Sequence, residues 1–146
     1  MNRVFDLSSL LVMPFWLTMI FLPRLRFTEF MNRGYWGSIA AACLYAALIQ
    51  QQFGPVLAAV LRPELPAIAA LLGRAPGATL AWAHFLAFDL FVGRFIFWDA
   101  RKRGISSWIV SPILCSTLML GPLGLLSYLA VRQFSSRATA TVAALS

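Results

Sequence analysis

Long apolar runs alternate along the chain with short stretches rich in arginine, glycine and proline. Four runs are long enough to cross a bilayer as helices, at about 20 residues per crossing. They cover residues 4–22, 35–53, 78–98 and 108–131. The pattern predicts an all-α fold: a polytopic integral membrane protein with four transmembrane helices in a small bundle. One domain is expected over 1–132, followed by a flexible Ser/Thr/Ala-rich tail at 133–146.

The connections differ in kind. Pro23-Arg24-Leu25-Arg26 ends the first run, and 23–34 reads as a loop. Residues 99–107 read as a short basic turn. Between the second and third runs, Pro55, Pro63, Pro66 and Pro76 break up apolar but short pieces. That stretch, 54–77, reads as interfacial segments with one short helix at 65–72. The opening run lacks a small-residue cleavage site after its apolar core, so it reads as a retained helix and not a signal peptide.

Composition agrees with the pattern. Hydrophobic residues make up 60% of the chain and charged ones 12%, against about 25% charged in ordinary soluble domains. Mean hydropathy is +0.78. The net charge of +7 would suggest nucleic acid in a soluble chain. Here the basic residues flank apolar runs, so they read as membrane anchors and no nucleic-acid partner is expected. With four crossings both termini share a side. The two short connections then carry Arg24, Arg26, Arg33, Arg101, Lys102 and Arg103, and the terminal side carries Arg3, Arg62, Arg74, Arg132 and Arg137. Six against five does not fix orientation, although the denser short loops lean toward the cytoplasm. Cys43 and Cys115 both lie inside apolar runs and read as small apolar side chains, with no metal expected.

The third run contains three ionisable residues, His84, Asp89 and Arg94. Asp89 lies near its middle. A carboxylate at bilayer centre costs at least about 2.5 kcal/mol, which makes it a functional-site candidate. At 100° per residue, Asp89 is about 140° from His84, and Arg94 about 140° further round. The three therefore do not converge on one face. Arg94 is expected to snorkel toward the loop side and Asp99. His84 is expected near the opposite interface, level with Gln50 and Gln51. Asp89 is expected to point into the bundle and meet the Gly121-Pro122 break of the fourth run, where proline frees the carbonyl of Leu118. A protonated Asp89 could donate to that carbonyl. Trp82, Phe88, Gly121 and Pro122 are the candidate contacts for an apolar ligand. Each feature also has a structural reading: a packing node for Asp89, a lipid-facing surface for the aromatic residues.

The segment Trp82-Ala-His-Phe-Leu-Ala-Phe-Asp-Leu-Phe-Val-Gly-Arg-Phe-Ile-Phe-Trp-Asp99, with Pro112 and Gly121-Pro-Leu-Gly-Leu-Leu126 after it, resembles the "abscisic acid deficient 4"-like family of small polytopic membrane proteins. The matching positions are Trp82, His84, Asp89, Leu90, Phe91, Arg94, Asp99, Pro122 and Gly124. Plant members take part in making neoxanthin from violaxanthin in plastid membranes. The chain shows no plastid-type leader, so it is expected to be a bacterial member, multi-pass in the inner membrane. The resemblance implies a carotenoid or isoprenoid isomerase acting within the bilayer and needing no cofactor. Asp89 would be its acid, kept protonated by the cost of a charge away from water. His84 would be the candidate base, and Arg94 a third candidate. The alternative is a non-catalytic protein that binds pigment or lipid, or assists a membrane complex. Expected partners are membrane lipid, a carotenoid or isoprenoid ligand, and a second copy or a membrane-complex subunit. A proton-handling transporter is a third, weaker option for a lone carboxylate.

Overall fold

A computed structural model describes the backbone of residues 2–145 and the side chains of residues 3–135. The described residues are helical with no strand. The helices are α1 (Asn2–Phe21), α2 (Arg26–Arg33), α3 (Trp36–Ile49), α4 (Phe53–Leu61), α5 (Leu65–Leu72), α6 (Ala75–Lys102) and α7 (Ser107–Leu145). By length and composition alone, four helical stretches are long and apolar enough to cross a membrane: Arg3–Phe21, Trp36–Leu61, Ala75–Lys102 and Ser107–Ser135. Of the tail expected at 133–146, the side chains past Ser135 lie outside the described residues.

Several element ends depart from the expected ones, and proline position is the common reason. The second span does not stop at Phe53. A 3₁₀ turn at Gln50–Gln52 carries the chain from α3 into α4. Pro55 falls in the first turn of α4, where a missing N–H costs nothing. Pro66 likewise sits at the start of α5, the short helix expected at 65–72. Pro76 falls in the first turn of α6, so the third span opens at Ala75 instead of Ala78.

The far end of α6 is also later than expected. Arg101 and Lys102 occupy its last turn, where cations complement the helix dipole. Gly104 has φ of 66°. Its N–H bonds the carbonyl of Arg101 at 3.1 Å, and Ile105 N–H bonds that of Ala100 at 2.9 Å. This paired closure needs a left-handed residue, which glycine supplies at no steric cost.

Residues 23–34 are not simply a loop, because α2 occupies most of them. It is short and polar, with Thr28 and Asn32 buried on one face.

The described chain forms two compact units. The first contains Met1–Pro14 and Tyr35–Phe88, the second Phe15–Gly34 and Asp89–Ser146. In the first unit, Val12, Leu80, Ala83 and Leu86 are buried. Trp82 stacks on Phe5 with ring centroids 5.3 Å apart, and its indole N–H donates to Ser9 Oγ at 2.9 Å. In the second unit, Trp16, Met19, Leu90, Ile96, Phe97, Leu114 and Tyr128 are almost wholly enclosed.

Within the second unit α7 is not straight. Leu120 has φ −144° and ψ 57°, outside the helical region. Pro122 follows at the start of a new helical arm, where its fixed φ suits a first turn. The direction changes sharply. A Cβ at Gly124 would collide with Thr117, seven residues earlier, whereas a straight helix separates such residues by about 10 Å. Beyond the break the chain runs back along α6. Phe95 and Tyr128 pack with ring centroids 6.1 Å apart, and the Tyr128 hydroxyl reaches Asp99.

Candidate functional site

Asp89 sits midway along α6, partly buried, and its carboxyl lies against Gly121. A Cβ built on Gly121 would overlap Oδ1, and would lie 2.9 Å from Cγ and 3.3 Å from Oδ2. Only glycine leaves room for this carboxyl at the break of α7. The meeting expected between Asp89 and the Gly121-Pro122 segment is present, but its chemistry is not the expected one. Among the described residues no group hydrogen-bonds the Asp89 carboxyl, the Leu118 carbonyl included. The reason is the fold-back: Pro122 opens a new arm instead of interrupting a continuous helix above Leu118.

One turn along the same face of α6, Gly93 receives the indole of Trp16 from α1. A Cβ there would lie 2.7 Å from Cζ3 and 3.2 Å from Cζ2 of that ring. Trp16 is fully buried, and its Nε1–H has no hydrogen-bond partner among the described residues. Buried indole N–H groups ordinarily find an acceptor. Trp16 was not among the candidates read from the sequence. A tryptophan two residues after the mid-span Pro14 was the available signal.

Arg94 is placed differently from the expectation. It does not turn to Asp99. Its Nε donates to the carbonyls of Asn32 at 2.9 Å and Gly34 at 3.0 Å, and its Nη2 to that of Arg33 at 2.7 Å. These are end carbonyls of α2, left without helical partners, and a guanidinium suits that negative pole. Trp98 Nε1 donates to the Asn32 carbonyl as well, at 2.8 Å. The sequence hid this role because 23–34 did not read as a helix with an end to cap. Asn32 is itself held by its side chain, which donates to the Thr28 carbonyl at 3.0 Å. Thr28 Oγ1 donates to the Leu22 carbonyl at 2.6 Å. Arg94 therefore positions α2.

Asp99 instead takes three donors on Oδ2: Tyr128 at 2.5 Å, Arg103 at 2.8 Å and Arg132 at 3.1 Å. Nearby, Arg101 pairs with Glu29 and donates to the Pro23 carbonyl at 2.7 Å.

His84 belongs to the first unit and is exposed. It lies in an aromatic group, 4.7 Å from the Phe88 ring centroid and 5.4 Å from that of Tyr45. Phe88 is exposed beside it. Trp82 is engaged with Phe5 and Ser9. In the second unit a groove of about 700 Å³ is lined by Phe21, Leu22, Arg24, Trp108, Pro112 and Cys115, among others. Asp89 does not line it.

The helices and the polar groups seated between them define a helical membrane protein with a carboxyl midway along its third long helix. Its sequence matches the ABA DEFICIENT 4-like family over residues 3–128. The chain belongs to that family. Neither the comparison with curated proteins nor that with solved structures finds a match.

Proposed function

We propose that the protein is an isomerase of carotenoid or isoprenoid lipids working inside the bilayer, with Asp89 as its acid. The observation that supports this reading is the Asp89 carboxyl midway along α6, which has no hydrogen-bond partner among the described residues, in the same compact unit as the unpartnered indole N–H of Trp16. A polar group held in an apolar setting without a partner is costly, and an oxygen of an apolar ligand would give a protonated Asp89 an acceptor.

For an epoxide substrate the step balances without electron transfer. The Asp89 proton goes to the epoxide oxygen, the C–O bond breaks, and a proton leaves a polyene carbon to a base. The product is an isomer, so neither oxidant nor reductant is needed. His84 is the candidate base only for a polyene that wraps α6, since it lies about 140° from Asp89 around that helix. Its ring group with Tyr45 and Phe88 is an apolar aromatic surface suited to a polyene. Arg94 holds α2 and is not needed as a reacting group.

The test is expression in a carotenoid-producing host followed by pigment chromatography. A changed pigment profile with the native chain, lost in Asp89→Asn and in His84→Ala, is the expected result. A native chain that leaves every candidate pigment untouched overturns the reading.

A second reading is non-catalytic binding of a lipid or pigment. The apolar groove beside Trp108 favours it. Purification in mild detergent would then yield a bound chromophore or lipid, and that ligand would survive Asp89→Asn.

A further inference from the structure

The fold-back of α7 bears on how the chain meets the membrane. From Ser107 to the break at Leu120, and from Gly121 to Ser135, each arm rises about 20 Å. The hydrocarbon core is about 30 Å thick. Neither arm alone reaches across. Were α7 straight, Tyr128 would stand about 32 Å of helix axis beyond Ser107. Instead it hydrogen-bonds Asp99 in the last turn of α6, and Arg132 shares the same carboxylate oxygen with Arg103. The returning arm thus ends level with the turn that precedes α7.

The tip of the fold lies against Asp89, the midpoint of α6. Irregular backbone at mid-bilayer is tolerated only where protein covers it. At the tip Gly121 and Gly124 are buried against protein, while Leu120 and Leu123 turn their side chains outward.

We infer that α7 is a re-entrant hairpin: it dips to the middle of the bilayer and returns to the face it entered from. The described apolar length is used twice over half the depth instead of once over the whole. The inference does not depend on any chemistry at Asp89.

Charge distribution supports it independently. With a straight fourth crossing the flanking basic residues divide six against five. With a re-entrant α7, Arg132 and the Arg137 that follows it in sequence join Arg24, Arg26, Arg33, Arg101, Lys102 and Arg103 on one side. Only Arg3, Arg62 and Arg74 remain on the other. Eight against three is the asymmetry that basic residues show across cell membranes, with the rich side cytoplasmic.

The test is thiol accessibility in the full chain, with Cys43→Ser and Cys115→Ser as background and single cysteines at exposed positions. Ser106→Cys reports the turn before α7, Gln133→Cys the returning arm, and Glu64→Cys the opposite face. A membrane-impermeant maleimide is applied to intact cells and to inside-out vesicles. Expected is labelling of Ser106→Cys and Gln133→Cys in the vesicles only, and of Glu64→Cys in the cells only. Labelling of Gln133→Cys together with Glu64→Cys overturns the proposal. A second measurement covers variants that fail to insert: with Arg103→Cys and Arg132→Cys in one chain, which leaves the Tyr128–Asp99 bond in place, a short bifunctional thiol reagent should join the two sites. Absence of that intramolecular link in folded, purified protein also overturns it.

Discussion

The Tyr128 hydroxyl donates to Asp99 across 29 residues of chain, at 2.5 Å. With Arg103 and Arg132 on the same oxygen, this carboxylate is where the last turn of α6 holds the returning arm of α7. Tyr128→Phe keeps the ring beside Phe95 and removes one hydrogen bond to a charged acceptor. The expected loss is about 1.5 kcal/mol, read as a lower unfolding temperature in detergent. Asp99→Asn should cost at least as much, since two guanidinium groups lose their counter-charge. The double variant should cost less than the sum, because both changes cut one network.

Gly121→Ala places a methyl group inside the Asp89 carboxyl. Overpacking of this kind costs about 1–3 kcal/mol. Combining it with Asp89→Ala should recover most of that loss. A double-variant cycle by thermal unfolding in detergent measures the recovery, and strict additivity would show that the two residues do not touch.

Arg94→Lys should behave like Arg94→Ala. A lysine ammonium is a point charge and does not reproduce the planar fork that meets three carbonyls at the end of α2. A loss of about 2 kcal/mol is expected. Proteolysis within 23–34 should also accelerate as α2 loosens. A lysine variant as stable as the native chain would remove the capping role.

How much of this was readable in advance depends on what periodicity and composition encode. The four apolar runs are plain, because about 20 mostly apolar residues in a row have few other uses. The short helix at 65–72 is also legible, from its apolar run, although Pro66 opens the helix and does not break it. The second span reads as ending at Phe53 because Pro55 reads as a break. A first-turn proline and a 3₁₀ step continue the helix instead. Contact between Asp89 and the Gly121-Pro122 segment followed from matching depth. The fold-back did not, since a Gly-Pro pair is equally compatible with a mild kink and with a reversal. What decides between them is contact at a distance in the chain, Gly124 on Thr117 and Tyr128 on Asp99. Trp16 was missed for the same reason: its importance comes from an unpaired N–H that only packing reveals.

Trp16→Phe should destabilise ligand-free protein by about 1–3 kcal/mol, because it removes the outer edge of the indole that packs on Gly93 along with the unpartnered donor. The same substitution should weaken any pigment conversion or pigment retention. Thermal unfolding and pigment chromatography on one preparation separate the two effects. Unchanged stability without ligand would mean that the outer edge of the indole is not packed on Gly93.

The carboxylate clamp at the end of α6 also sets an order of events during synthesis. Arg103 is made four residues after Asp99 and pairs with it inside the same helix end. Tyr128 and Arg132 emerge later, after the whole descending arm. While that arm is being made, Asp99 is held by Arg103 alone, and Asp89 faces a partner not yet translated. The third long helix must therefore be settled before its carboxyl-lined side is covered, and the hairpin closes onto it as the final step of assembly. Chains stalled with residue 132 still inside the ribosomal exit tunnel, and with it clear of the tunnel, would differ in whether this lock has shut.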